Sequence, residues 1–201
     1  MGQDKSKDVQ GQPMSEDSST LKFHLDKGLS DKPLVLIGLS GAGKSSIGAR
    51  LAKRLGTSFV DMDVLIEERI GQTISSFFEQ YGEAAFRDME QDVLQEVLIQ
   101  NYGVIATGGG TIVREQSREA LKEKARVIYL DATIEELHNR LRNDNTRPML
   151  KGADLVERLR LLSSQRDHLY KECAHFIVNS CNQHMDALVE SLVCNLNLKA
   201  A

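Results

Sequence analysis

A glycine-rich motif constrains the fold of this chain more than any other feature of its sequence. The motif reads Gly38-Leu39-Ser40-Gly41-Ala42-Gly43-Lys44-Ser45 and satisfies the pattern G-x-x-x-x-G-K-[ST]. It follows directly on the apolar run 34–37 and precedes apolar residues at helical spacing over 44–55. A strand, a glycine turn and a helix in this order predict a phosphate-binding loop, because backbone N–H groups and the positive helix N-terminus both face the anion.

The motif assigns chemistry to single residues. Lys44 is expected to reach the β- and γ-phosphates of a nucleotide, and the Ser45 hydroxyl is expected to ligate Mg²⁺, the predicted cofactor. The alternative is a glycine turn whose lysine is merely solvated. The nucleotide-binding residues predicted around this loop are Gly41, Ala42, Gly43, Lys44, Ser45 and Ser46.

The rest of the chain alternates short apolar runs with helical segments. Strands are predicted at 34–37, 58–63, 104–107, 127–130 and 176–178, and helical segments lie between them. This alternation indicates βαβ units with a parallel sheet. We predict an α/β fold: a P-loop kinase-like three-layer sandwich with a five-stranded parallel sheet in order 2-3-1-4-5 and helices on both faces.

Length and composition predict one domain with an additional tail. The chain has 201 residues, and its first 32 are polar with too few apolar positions to offset the entropy of ordering them. We therefore expect residues 1–32 to be a flexible N-terminal tail and residues 33–201 to form a single domain. Residues 143–153 are polar, lack periodicity and predict a loop.

Charge and hydropathy argue against two classes of protein. The net charge of −4 lacks the basic excess of a dedicated nucleic-acid binder. No apolar run approaches about 18 residues, and the N-terminus has no apolar signal segment, so we expect no membrane partner and a cytoplasmic location. The three cysteines, an odd number without a C-x-x-C motif, favour free thiols.

Two acids follow the second apolar run. Residues two apart on a strand project to the same side, so Asp61 and Asp63 are predicted to face one ligand site at the carboxyl end of the sheet. Such a pair could hold a Mg²⁺-bound water and accept a proton from an attacking hydroxyl. The alternative is that both acids only favour the start of the next helix.

Several other patterns admit a functional and an ordinary interpretation. Arg87 and Glu90 are three residues apart on a predicted helix, as many surface ion pairs are. The glycines 108–110 follow a buried strand and either admit a ligand or form a loose turn. Asp131 ends a strand like a Walker B acid, or precedes a helix start. Cysteines and histidines at 173–184 fit no usual zinc spacing.

Taken together, the motifs resemble those of the shikimate kinases over residues 33–195. The resemblance rests on the phosphate loop and on Asp61-Met62-Asp63, Phe86-Arg87-Asp88-Met89-Glu90, Gly108-Gly109-Gly110, Arg147-Pro148-Met149-Leu150 and Arg166 ahead of Leu169-Tyr170. It implies transfer of the γ-phosphoryl group of ATP to the 3-hydroxyl of shikimate, in chorismate and aromatic amino-acid biosynthesis. It also implies ATP and shikimate as the only partners, and we expect a monomer.

The resemblance further implies roles for the residues around the substrate. Asp63 would bind the ring hydroxyls and serve as the base, with Asp61 near the Mg²⁺ shell. Arg87 and Arg166 would bind the substrate carboxylate, for which a planar guanidinium is suited. Glu90 would orient Arg87. Two glycines would contact the substrate through their backbone, namely Gly109 and Gly110.

The remaining implied roles concern the nucleotide. Arg147 would belong to a mobile lid over 143–153 and reach the ATP phosphates, while Arg140 and Gln183 would line the adenine pocket. Gln183 departs from the family, which often has a basic residue there. Two rival interpretations share the phosphate loop: a gluconate-type or nucleoside-monophosphate kinase, and a non-enzymatic nucleotide switch. Neither explains the joint acid, arginine and triple-glycine set.

Overall fold

A computed structural model describes residues 32–100, 102–142, 155–181 and 184–196. Five strands run through this part of the chain: β1 (Leu34–Ile37), β2 (Phe59–Asp61), β3 (Val104–Ala106), β4 (Arg126–Asp131) and β5 (Phe176–Asn179). The helices are α1 (Lys44–Leu55), α2 (Met62–Ile70), α3 (Ile74–Ile99), α4 (Glu115–Lys124), α5 (Ile134–Leu141), α6 (Leu155–Cys173) and α7 (Met185–Asn195).

The five strands form one parallel sheet. Its order is β2-β3-β1-β4-β5, and every pair of neighbouring strands is parallel. Val35 of the central strand pairs with Ile105 on one side and Val127 on the other. The predicted fold class and strand order are confirmed. The order reverses at β1, and the phosphate loop follows this strand, where open α/β sheets bind ligands.

The core lies against both faces of this sheet. All four residues of β1 are buried, which requires cover on both sides, and the helices supply it in two groups. Helix α1 packs against α7, whereas α2, α3, α4, α6 and α5 contact one another in that order. This arrangement agrees with the predicted helices on both faces.

Local signals explain where several helices begin and end. Helix α1 ends at Gly56, whose φ of 68° is the left-handed conformation that favours glycine, as its sequence predicts. Thr73 and Thr133 cap α3 and α5 by accepting a hydrogen bond from the backbone N–H three residues later. Gly82 interrupts α3 with a φ of 78° and a ψ of 174°.

The predicted second strand is too long. It ends at Asp61, and helix α2 begins at Met62, so Asp61 and Asp63 do not share a strand face. The physical reason is a cap: the Asp61 side chain accepts a hydrogen bond from the backbone N–H of Asp63 at 3.0 Å. This contact bends the chain into a helix. The tail at 1–32, apart from residue 32, lies outside the described residues, as do the lid at 143–153, Arg147 and Gln183.

Candidate active site

A cavity of about 1160 Å³ opens at the carboxyl end of the sheet. Residues from the phosphate loop, α1, α2, α3 and α6 line it, together with the three glycines after β3. The predicted site residues that line it are Ser45, Asp61, Asp63, Arg87, Gly109, Gly110 and Arg166. One cavity therefore brings the predicted substrate residues together with Ser45 and Asp61. The other described nucleotide residues do not line it, namely Gly41, Ala42, Gly43, Lys44, Ser46 and Arg140.

The phosphate loop owes its shape to glycine. Gly41 and Gly43 adopt φ values of 84° and 96°, which other residues rarely tolerate. The Lys44 ammonium is buried and donates hydrogen bonds to the carbonyls of Gly38, at 2.8 Å, and Leu39, at 3.0 Å. It is thus held inside the loop.

Three further nucleotide-site residues surround the loop. Ser45 and Ser46 lie exposed in the first turn of α1. Arg140 donates to the carbonyls of Gly41, at 3.3 Å, and Ala42, at 3.4 Å. It also donates to Ser180, at 2.7 Å, and pairs with Glu136. Arg140 therefore links the phosphate loop to the segment after β5.

Two acids, one from α2 and one from α3, meet over Gly108. A Cβ added to this glycine would lie 2.8 Å from Asp63 Oδ1 and 2.7 Å from Glu90 Oε1. Both carboxylates therefore occupy the space that a side chain would take. Gly108 itself is buried at the end of the strand, so only glycine allows the two acids to approach the sheet here.

Arg87 is held by carboxylates and aromatic rings. Its guanidinium donates to Glu90 at 2.5 Å and to Glu83 at 3.1 Å, and it lies over the rings of Phe78 and Phe86. Only 4% of the Glu90 side chain is exposed, against 63% for Glu83. Glu90 is thus a buried anchor and not a surface partner. The ordinary surface-pair interpretation of Arg87 and Glu90 is wrong for this reason.

Arg166 approaches the glycines from α6. It donates to the carbonyl oxygen of Gly109 at 3.1 Å, and the Tyr170 hydroxyl donates to the same oxygen at 2.5 Å. The neighbouring Gly110 faces Arg87, because a Cβ there would collide with the guanidinium. Consecutive glycines therefore bring two arginines from different helices to one part of the cavity.

The glycine segment also contacts the phosphate loop. A Cβ on Gly109 would lie 3.4 Å from the backbone nitrogen of Ser40 and 3.6 Å from the carbonyl oxygen of Gly38. The arginine-rich part of the cavity consequently lies beside the loop predicted to hold phosphates. A small anion bound there would be adjacent to the nucleotide.

Two hydrogen-bonding partners at this site, Thr111 and Tyr170, were not predicted from the sequence. Thr111 donates to Glu90 at 2.7 Å, so the Glu90 carboxylate accepts hydrogen bonds from both Thr111 and Arg87. Tyr170 reaches Gly109, and its spacing of four residues from Arg166 on one helix was the available signal. Burial raises the pKa of the Tyr170 hydroxyl, while the charge and hydrogen bond of Arg166 act against that rise.

Two other sequence patterns lie away from the cavity. Asp131 is within hydrogen-bond distance of the Tyr129 hydroxyl, at 3.3 Å, and does not line the cavity. Burial raises the pKa of the Cys173 thiol to about 12, and this thiol contacts the carbonyl of Arg118. His175 accepts a hydrogen bond from a strand N–H. Over the described ranges, no three His, Cys, Asp or Glu side chains converge as metal ligands.

The donor set beside the phosphate loop fits Mg²⁺. Ser45 and Asp61 supply oxygen atoms to the same cavity, and this hard cation prefers oxygen ligands. Only one Asp61 oxygen is recorded in the helix cap. Nucleotide-bound Mg²⁺ usually takes one or two protein ligands and completes its shell with phosphates and water. A larger protein cluster is therefore not required.

Comparisons with known proteins agree with this geometry. A family model described as shikimate kinase matches residues 40–197. A shikimate kinase from Paracidovorax citrulli is 45% identical over 166 residues, which cover 81% of this chain and 91% of that protein.

Solved structures show the same relationship. A shikimate kinase from Acinetobacter baumannii in complex with shikimate has a TM-score of 0.78 and 37% identity, covering 87% of this chain and 97% of that one. A shikimate kinase from Bacteroides thetaiotaomicron has a TM-score of 0.79 and 30% identity, covering 83% of this chain and 99% of that one. The shared sheet, the phosphate loop and these matches place the chain in the shikimate kinase family.

Proposed function

We propose that this protein transfers the γ-phosphoryl group of ATP to the 3-hydroxyl of shikimate, giving shikimate 3-phosphate and ADP. This reaction belongs to chorismate and aromatic amino-acid biosynthesis. The observation that carries the proposal is the meeting of Arg87, Arg166 and Asp63 in one cavity beside the phosphate loop. The cavity offers cations for a carboxylate and an acid for a hydroxyl.

The two arginines bind the shikimate carboxylate. A guanidinium presents its N–H donors in a planar fork that matches a carboxylate. Glu90 keeps Arg87 in place through a 2.5 Å ion pair, and the adjacent glycines leave room for both side chains. The half-buried positions of Arg87 and Arg166 strengthen the attraction relative to bulk water.

Asp63 receives the proton of the attacking hydroxyl. Its carboxylate lies in the first turn of α2 and faces Gly108, next to the arginines. A carboxylate within hydrogen-bond reach of the 3-hydroxyl both orients that oxygen and accepts its proton during transfer. Gly109 and Gly110 provide backbone contacts to the same substrate.

The phosphate loop binds and orients the nucleotide. Backbone N–H groups from Gly41 to Ser46 surround the β-phosphate, and Lys44 leaves its two loop carbonyls to contact the transferred group. Charge that develops in the transition state is thereby stabilised without large rearrangement. Arg140 supports the loop from outside. We assign adenine binding to Arg140 and to Gln183, which lies outside the described residues.

Mg²⁺ is the cofactor, with Ser45 and Asp61 as the residues that would hold it. When bound, this cation neutralises charge on the phosphate oxygens. We also assign Arg147, which lies outside the described residues, to the ATP phosphates, where its positive charge would act on the transferring group.

A monomer in the cytoplasm suffices for this activity. One chain supplies both the assigned substrate residues and the assigned magnesium ligands that line the cavity, so we expect a single copy to be active. The three cysteines within the described residues are free, which suits a reducing compartment that also provides ATP. No helix among the described residues meets the length and apolarity that a membrane span requires.

A coupled ADP-release assay tests the proposal. The purified full chain is supplied with ATP and Mg²⁺, and shikimate, gluconate or a nucleoside monophosphate is added in separate reactions. Among the three acceptors, we expect only shikimate to give rapid ADP release. Equal rates with and without any acceptor would indicate a nucleotide switch, and a preference for gluconate or a nucleotide would identify one of the rival kinases.

A further inference from the structure

Tyr170 is a buried polar side chain at the site to which the proposed mechanism gives no role. None of its surface is exposed, and its hydroxyl donates to the Gly109 carbonyl at 2.5 Å. Arg166 donates to the same oxygen at 3.1 Å. The three groups form one compact set of hydrogen bonds between α6 and the glycine segment.

A second tyrosine packs against the ring of Tyr170. The Tyr170 ring stacks on Tyr129, with ring centroids 4.9 Å apart and an interplanar angle of 18°. The Tyr129 hydroxyl lies 3.3 Å from an oxygen of Asp131 and 3.2 Å from one of Asp167. Because β4 and α6 both hold this ring pair, the Tyr170 hydroxyl has a defined position at Gly109.

We propose that Tyr170 is a positioning residue for shikimate binding, whose hydroxyl retains the Gly109 carbonyl when Arg166 turns from it to the substrate carboxylate. The inference rests on the proposed function, in which Arg166 binds that carboxylate. Arg166 and Tyr170 are the two recorded donors to this carbonyl in the described part of the chain. Without the hydroxyl, moving Arg166 to the substrate leaves the Gly109 carbonyl without a donor from the described residues.

The consequence is a competition that Tyr170 prevents. In a chain that lacks the hydroxyl, Gly109 and the substrate compete for the same guanidinium, and a half-buried carbonyl that loses its donor opposes binding. The glycine segment that contacts shikimate also loses one of its two attachments to α6. Both effects act on shikimate and not on ATP.

Steady-state kinetics of Tyr170→Phe test this inference. We expect the KM for shikimate to rise about three- to tenfold, the range that one hydrogen bond contributes. The KM for ATP and kcat should stay within about twofold of the wild type. A rise in the KM for shikimate alone indicates a positioning role for Tyr170. A general loss of packing would change both KM values and kcat together.

Tyr129→Phe is the matched control. It removes a hydroxyl from the other ring of the same stacked pair, but this hydroxyl does not contact Gly109 or Arg166. We expect a lower Tm and an unchanged KM for shikimate. An equal rise of that KM in both variants would overturn the inference, because the effect would then come from the ring pair.

A second variant keeps the inference testable if Tyr170→Phe does not fold. Para-aminophenylalanine at this position keeps a donor at the end of the ring, and we expect a KM for shikimate within about twofold of the wild type. A large rise would contradict the donor role. Wild-type turnover of shikimate separately tests the proposed function: its absence removes both proposals, whereas an active wild type with an unaffected Tyr170→Phe removes only this one.

Discussion

Gly110→Ala tests the contribution of Arg87 to substrate binding. The backbone at Gly110 does not require a positive φ, so alanine introduces no backbone strain. Its Cβ would collide with the Arg87 guanidinium, which must swing away from its 2.5 Å contact with Glu90. The displaced Arg87 then loses its charged hydrogen bond to the substrate carboxylate, which costs about 1.5–3 kcal/mol of binding free energy. This corresponds to a rise of roughly ten- to a hundredfold in the KM for shikimate.

The assay is coupled ADP release with shikimate varied at saturating ATP. Gly71→Ala is the control, because Gly71 ends α2 at a φ of 67° with no atom near its missing Cβ. Alanine there should cost about 1–2 kcal/mol of stability through the left-handed backbone and leave the KM unchanged. A KM for shikimate within twofold of the wild type in Gly110→Ala would refute the assigned role of Arg87.

Four further outcomes are expected. Lys44→Ala should abolish detectable phosphoryl transfer while its circular dichroism stays that of the wild type, since Lys44 acts on charge at the phosphates. Asp63→Asn should lower kcat by on the order of 10² or more, and a change in KM alone would mean that Asp63 only binds. Arg147→Ala should lower kcat more than it weakens shikimate binding measured by calorimetry. Deleting residues 1–31 should leave Tm and kcat unchanged, whereas a Tm lower by several degrees would show that this segment packs.

The sequence predicted the sheet because its signals are local. Each strand is an apolar run, and the glycine motif places β1 at the centre of the order 2-3-1-4-5. The strand end at Asp61 does not follow from alternation and agrees instead with the alternative interpretation of the two acids, a helix start, because the Asp61 side chain caps α2. Propensity and spacing do not register a single hydrogen bond of this kind.

The candidate site was predictable as a set of residue types but not as contacts. Spacing identified Arg87 and Glu90 as a pair, yet their burial depends on α3 packing against the sheet. Gly108 leaves space for two carboxylates that are distant in sequence. Asp63 lies 45 residues before it and Glu90 lies 18 residues before it. Tyr170 likewise reaches Gly109 across 61 positions. Such long-range contacts appear only once the chain is folded.

The position of phosphorylation tests the central claim most directly. The full chain is incubated with ATP, Mg²⁺ and shikimate, and the product is analysed by two-dimensional NMR that correlates phosphorus with the ring protons. The proposed arrangement, with the carboxylate on Arg87 and Arg166 and the hydroxyl on Asp63, predicts a single phosphate coupled to the proton at carbon 3. A phosphate at carbon 4 or 5, or no phosphorylated shikimate at all, would contradict it.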